Sequence, residues 1–346
     1  MGYKGNRSSQ PHEEEKMATE ESNSSDGESI TMEEYSRYER QYWRAMAESE
    51  GFENDYVSPV VLITGLVPYD CQRSRRIPYP LLVKRYALLG LHRYNMLEGT
   101  SISLDALMNF NKSMNFTSSY YITLLAHDPD ATPFQITFQV RVDEKRYGQL
   151  DLTVSIARPK RNPNEAATKE PFIPHFHSGA VADGVFKGPL PDWPSAVALD
   201  DAKRFYVLKK SEWQDTDWIS LYLELLVCAS DREIADTVQS VIAHLQIVDV
   251  AIETKEEEDV KPPNERLNAK IAHVYIIFKG LAKSRRLVEI GEHVVRKAII
   301  RRVIDASGYL TLLGKFWGGK DTEQQPSMTL SSGQQAESSK KRPRAG

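Results

Sequence analysis

One pattern constrains this chain more than any other: a helical segment followed by four segments of strand character, occurring twice. Over residues 81–97 apolar residues recur at Leu82, Tyr86, Leu89 and Tyr94, close to one face of a helix that Gly90 weakens and Gly99 can end. Four strand segments follow at 101–110, 119–126, 134–142 and 150–157. The second is rich in aromatic and β-branched residues, and QITFQVRV in the third alternates strictly. DPDATP and Tyr147-Gly148 supply turns between them. Strands that succeed one another without intervening helices pair as antiparallel neighbours, which predicts a meander wrapped on a helix.

After residue 200 the order returns. Residues 204–208 read as a short strand. Asp217 can N-cap a helix whose apolar face is Trp218, Leu221, Tyr222, Leu225 and Leu226. Strands then run over 245–253, 272–279, 294–304 and 309–313, the last two joined across Asp305-Ala306-Ser307-Gly308, while 233–244 has a helical alternative. The expected fold class is α+β, with two tandem units, each a helix plus a four-stranded antiparallel sheet.

The flanks differ in texture. Residues 1–30 hold almost nothing apolar to offset ordering entropy and are expected to be a disordered acidic tail. Over 31–51, Thr31 with Glu34 is a capping box, and Tyr35, Tyr38, Tyr42 and Met46 form an apolar stripe at helical spacing. That stripe either packs on its own domain or takes a partner helix. The first unit is placed at 52–160, with VVLIT as one short strand before its helix. A Pro-rich linker covers 161–200, the second unit 201–316, and a flexible basic tail 317–346.

Charge and cysteine usage narrow the function classes. The net charge of −4 divides into −6 over residues 1–50, from twelve Asp/Glu and six Lys/Arg, and about +2 over the rest. No broad basic field exists, so direct nucleic-acid binding is not expected. No run of eighteen apolar residues predicts a membrane span, and the first residues lack the order of a secretory signal. Cys71 and Cys228 are too few for a disulfide framework and suit a reducing compartment, with Cys228 in LELLVCAS a small buried hydrophobe.

Catalytic chemistry finds no foothold. Of eight histidines only His175 and His177 lie close in sequence, and a third metal ligand is missing, so two polar side chains on a loop is the plainer reading. His127-Asp128-Pro129-Asp130 has the composition of a turn. GxSxG, P-loop, GxGxxG and HExxH motifs are absent. The expectation is a non-enzymatic protein without cofactor or metal, working through protein partners. Lys340, Lys341, Arg342 and Arg344 form a basic cluster of the kind an import receptor reads, placing the chain in the nucleus, with the cytoplasm as the alternative.

Five phrases carry a resemblance: LGLHRYNMLEGTSISL, KSMNFTSSYYITLLAHDP, FQITFQVRV, RFYVLKKSEWQDTDWISLYLEL and IIRRVIDASGYLTLLG. In this order they resemble a plant-specific family, expanded in the mustard family and named for a male-sterility protein, over roughly residues 50–315. The resemblance implies a role in male meiosis or pollen development and supplies no catalytic or binding residues. The first unit also resembles cystatins, in its helix, YN and G, and YYITL strand, and so makes the two expected units cystatin-like. Cystatins block papain-like proteases with a QxVxG hairpin, where this chain has Ser113-Met114-Asn115-Phe116-Thr117. Gln, Val and Gly are all replaced, so the wedge is expected to be lost. A divergent cystatin-like cysteine-protease inhibitor is the alternative function.

Overall fold

The computed structural model describes residues 30–54, 65–74, 76–129, 135–161, 172–174, 178–236, 242, 245–256, 259–280 and 295–318. The VVLIT segment, His175, His177, Lys340, Lys341, Arg342, Arg344 and nearly all of both expected tails lie outside these residues. The first half runs α1 (Met32–Glu48), β1 (Leu66–Asp70), α2 (Pro80–Glu98), β2 (Ser103–Ser113), β3 (Ser119–His127), β4 (Ile136–Glu144) and β5 (Leu150–Pro159). A 3₁₀ turn (Gly184–Phe186) and α3 (Ala196–Leu199) lie in the connection. The second half runs β6 (Phe205–Val207), α4 (Lys210–Gln214), α5 (Asp217–Ser230), α6 (Arg232–Ala235), β7 (Gln246–Glu253), α7 (Pro263–Leu267), β8 (Ile271–Lys279), β9 (Arg296–Ile304) and β10 (Leu310–Trp317).

These strands form one antiparallel sheet in the order β1-β2-β3-β4-β5-β10-β9-β8-β7-β6. Two separate four-stranded sheets were expected; instead the halves fuse where β5 pairs with β10. The geometry of the junction is nearly symmetric. β4 and β9 correspond residue for residue 160 positions apart, Ile136 with Arg296 and Glu144 with Ile304. The same offset relates the turn glycines Gly148 and Gly308, with φ of 73° and 77°. It also relates Leu152 to Leu312, which face each other across the junction and so lie on a local two-fold axis.

On one face α2 and α5 pack against each other and against the sheet, enclosing one continuous apolar core that spans both halves. Gly90 sits where α2 comes closest to the sheet: a Cβ there would overlap the side chain of Val140. The residue that weakens the helix in isolation is the one that lets it dock.

The opposite face is covered by α1 and by the Pro-rich connection. Tyr42, Met46, Phe52, Leu66 and Tyr121 form one small core there, and Phe205, Ala251, Tyr275 and Ile299 another, with Leu190 and Trp193 packed on it. Proline removes backbone donors but leaves carbonyl acceptors, and two arginines use them. Arg141 Nη2 donates to Ile173 O at 2.8 Å, and its counterpart Arg301 donates to Gly188 O at 2.7 Å and Pro189 O at 2.6 Å. The connection expected to be a linker is a strap held to the sheet.

The free edge of β1 is closed. Leu66 N–H donates to Tyr42 Oη at 2.6 Å, Leu66 O accepts from Asn54 Nδ2 at 2.8 Å, and Pro68 has no donor. The Asp70 carboxylate folds back onto the Gln72 and Arg73 amides. An edge blunted in this way does not offer itself for strand addition.

Candidate protein-binding surface

The β2–β3 and β4–β5 turns emerge at the same end of the sheet because β2 to β5 are successive antiparallel neighbours. The first turn is tied by Ser119 N donating to Ser113 Oγ at 2.8 Å and by Ser118 Oγ donating to Asn115 O at 3.0 Å. It leaves Met114 64% and Phe116 78% exposed. In the second turn Tyr147 is 44% exposed, and its ring centroid lies 4.4 Å from that of Phe116. Three large apolar side chains from two turns thus share one surface, an arrangement that marks interaction sites more often than singly exposed hydrophobes do.

The base beneath them is polar and fixed. Glu144 is buried and accepts from Tyr86 Oη at 2.7 Å, Ser118 N at 3.2 Å and Arg232 Nη2 at 2.9 Å. The Arg232 guanidinium lies over the rings of Tyr79, 5.6 Å from its centroid, and Tyr147, 5.3 Å away. Burial, reinforced by the Glu144 charge, pushes the Tyr86 and Tyr120 hydroxyls well above the usual tyrosine range. Burial acts to lower Arg232, but Tyr86, Glu144 and Tyr120 outweigh it and hold the guanidinium charged. At Lys112 burial wins over the pull of Glu144 and lowers the ammonium. These groups offer fixed charge and a rigid platform.

The equivalent end of the second half is finished differently. Ser307 stands where Tyr147 does, and Asp305 is consumed by the amides of Ser307, Tyr309 and Val181. Gly308 O is taken by Arg93 Nε at 2.5 Å. Two turns of matching geometry therefore differ at their tips, an exposed aromatic ring in one and a serine in the other.

The stripe on α1 divides. Tyr42 and Met46 are buried against β3 and β1, whereas Tyr35 and Tyr38 are half-buried, with Arg37 over the Tyr38 ring at 5.1 Å. Both members of its capping box are present. Cys228 is buried, and burial pushes its thiol up to about 12; Cys71 rises to about 11 for the same reason. His127 pairs through Nδ1 with Asp105 at 2.6 Å. Asp217 opens α5 instead of capping it, since the N-cap is Thr216.

A second polar cluster lies under the strap. Arg301 Nε donates to His273 Nε2 at 2.9 Å, so Nδ1 carries the proton and donates to Glu253 Oε2 at 2.8 Å. Tyr275 and Arg204 also donate to Glu253. Burial works to raise this carboxyl, but hydrogen bonds from His273, Tyr275 and Arg204 hold it down at about 2. Burial lowers His273, and the cluster is covered by Phe186, whose ring centroid lies 4.7 Å from that of His273 at a tilt of 31°. Between α2 and α5 a cavity of about 890 Å³ is lined by His92, Trp218 and the ion pair of buried Arg85 with half-buried Glu224, among others. Among the described residues no group of three His, Cys, Asp or Glu could hold a metal, and no helix is long and apolar enough to cross a membrane.

In the sequence, Ser113–Thr117 is marked only by standing where cystatins carry their wedge, and Tyr147 only as part of a turn. The available signal was an aromatic residue inside each turn, Phe116 between Asn115 and Thr117 and Tyr147 before Gly148, where nothing can bury it locally.

A protein-family model described as protein MS5 matches residues 190–312. A putative UPF0725 protein of Arabidopsis thaliana is 65% identical over 318 residues, covering 91% of this chain and 97% of the relative. The chain belongs to the MS5 (UPF0725) family of plant proteins. A second Arabidopsis thaliana UPF0725 protein is 60% identical over 316 residues, covering 91% of this chain and 96% of the relative. Among solved structures, MS5 from Brassica napus matches with 34% identity and a TM-score of 0.52, over 68% of this chain and 97% of that one. Membership in the MS5 family suggests a role in male sterility. None of these similarities supports the protease-inhibitor alternative.

Proposed function

We propose that this chain is a non-enzymatic interaction protein that supports male meiosis or pollen development, and that Met114, Phe116 and Tyr147 form its docking face. The observation that carries this is their joint exposure on a buried Glu144–Arg232 base, at an end whose counterpart in the other half is polar. Exposed aromatic anchors on a rigid support are what binding hot spots use. Family membership supplies the link to male sterility. Import into the nucleus through Lys340, Lys341, Arg342 and Arg344 belongs to the same reading. So does a cystatin-like plan for each half, supported by the repeated order of one strand, a long helix (α2 or α5) and four successive antiparallel strands.

The test is affinity recovery from anthers at meiosis, followed by mass spectrometry. The parent chain is compared with a Phe116→Ser/Tyr147→Ser variant that melts at the same temperature. Partners present with the parent and depleted with the variant support the reading; identical sets refute the assigned face. A large fluorescent fusion carrying Ala at the four basic tail positions is expected to leave the nucleus, and unchanged accumulation would refute import through that cluster.

A further inference from the structure

The turn surface also carries information about what it binds, and this step rests on the docking reading above. Glu144 already accepts from Tyr86, Ser118 and Arg232, so its charge is shared among several donors. Arg232 spends only Nη2 on it. The side chain is 10% exposed, and its Nε and Nη1 are buried without a hydrogen-bond partner among the described residues. Unpaired guanidinium nitrogens in a buried position are costly, and an acceptor brought from outside relieves that cost.

Lys112 adds a second cation. It is half-buried on β2, lies 5.9 Å above the Tyr120 ring and senses both Glu144 and Arg232. Asp236, a further carboxylate of this neighbourhood, accepts from Tyr79 N at 3.2 Å. Two cations therefore face one saturated carboxylate. The ring of Tyr147, itself 44% exposed, covers the Arg232 guanidinium.

We infer that the docking face takes an extended segment of a partner protein in which an aromatic or large aliphatic residue lies within two positions of an aspartate or glutamate. The apolar residue seats on Phe116 and Tyr147, as aromatic anchors do in desolvated interface centres. The carboxylate meets Lys112 and, by turning the Tyr147 ring aside, the covered nitrogens of Arg232, for which a guanidinium is the preferred planar donor. Charge of this kind sets register and speeds encounter, so binding weakens as salt rises.

A random displayed-peptide library selected on the full chain tests this. Enriched peptides are expected to pair Trp, Phe, Tyr or Leu with Asp or Glu within two positions. Their affinity should fall at least tenfold on Lys112→Glu and on Tyr147→Ser, and severalfold between 50 and 300 mM salt. Tyr147 is exposed and Lys112 half-buried, so an unchanged melting temperature shows that the fold is kept, and Lys112→Gln takes the place of Lys112→Glu if the latter melts lower. Peptides that depend on Tyr147 but lack acidic residues, or ignore Lys112→Glu, overturn the inferred chemistry and leave the docking face standing. Peptides indifferent to both substitutions overturn the docking face itself.

Discussion

Tyr42 illustrates how much one side chain can decide. Its ring is buried in the small core on the strap face, and its hydroxyl accepts the outward amide of β1. Tyr38, one turn earlier, lies half-buried beneath Arg37. Tyr42→Ser should therefore cost about 3 kcal/mol, from lost burial and an orphaned amide, while Tyr38→Ser stays within about 1 kcal/mol. Urea unfolding of the two single variants checks this, and equal losses would show that the stripe docks as one unit. His92 makes a second case. Burial, helped by the nearby Arg302 charge, lowers it to about 3, and its Nε2 lies 3.0 Å from Tyr222 Oη. A histidine depressed in the folded state contributes stability that is complete above about pH 6.5 and is lost as pH falls toward 3. One edge opens to the cavity and is screened, so the expected loss between pH 7 and pH 5 is on the order of 1 kcal/mol. That loss should be absent in His92→Gln. An identical acid slope in parent and variant would place the titrating group elsewhere.

At the scale of elements, α2 and Gly90 show where local and tertiary demands part. Alanine there gains about 1 kcal/mol of helix propensity but forces a Cβ into Val140, an overpacking that costs about 1–3 kcal/mol. Gly90→Ala should lower the melting temperature, and Val140→Ala added to it should restore part of the loss. A stabilised single variant would mean that the helix stands off the sheet. The eight long strands and the two main helices were legible in the sequence, with ends shifted by a few residues, because period-2 alternation and aromatic richness survive without context. β1 was not. LVPYD reads poorly as a strand because of Pro68, which is tolerated here only since its missing donor faces the open edge. The strap reads as a Pro-rich linker in the sequence because prolines announce what a segment cannot donate; nothing local reveals that Arg141 and Arg301 on the sheet bind its carbonyls.

At the scale of the whole molecule, what the sequence hid was assembly. Repetition of one helix and four strands was visible, but the pairing of β5 with β10 joins residues nearly 160 positions apart and leaves no local trace. That pairing makes one sheet and one shared core out of two similar halves. It also frees the halves to diverge at their turns, one keeping polar Asp305 and Ser307 and the other presenting Phe116 and Tyr147. The candidate surface stayed hidden for the same reason, since its members come together only when two turns 31 residues apart meet at one end of the sheet. The most direct test is calorimetric titration of the strongest partner recovered from anthers into the purified parent chain and into Phe116→Ser/Tyr147→Ser. Loss of two central aromatic anchors predicts at least tenfold weaker binding at an unchanged melting temperature. Equal affinity for both chains would contradict the account.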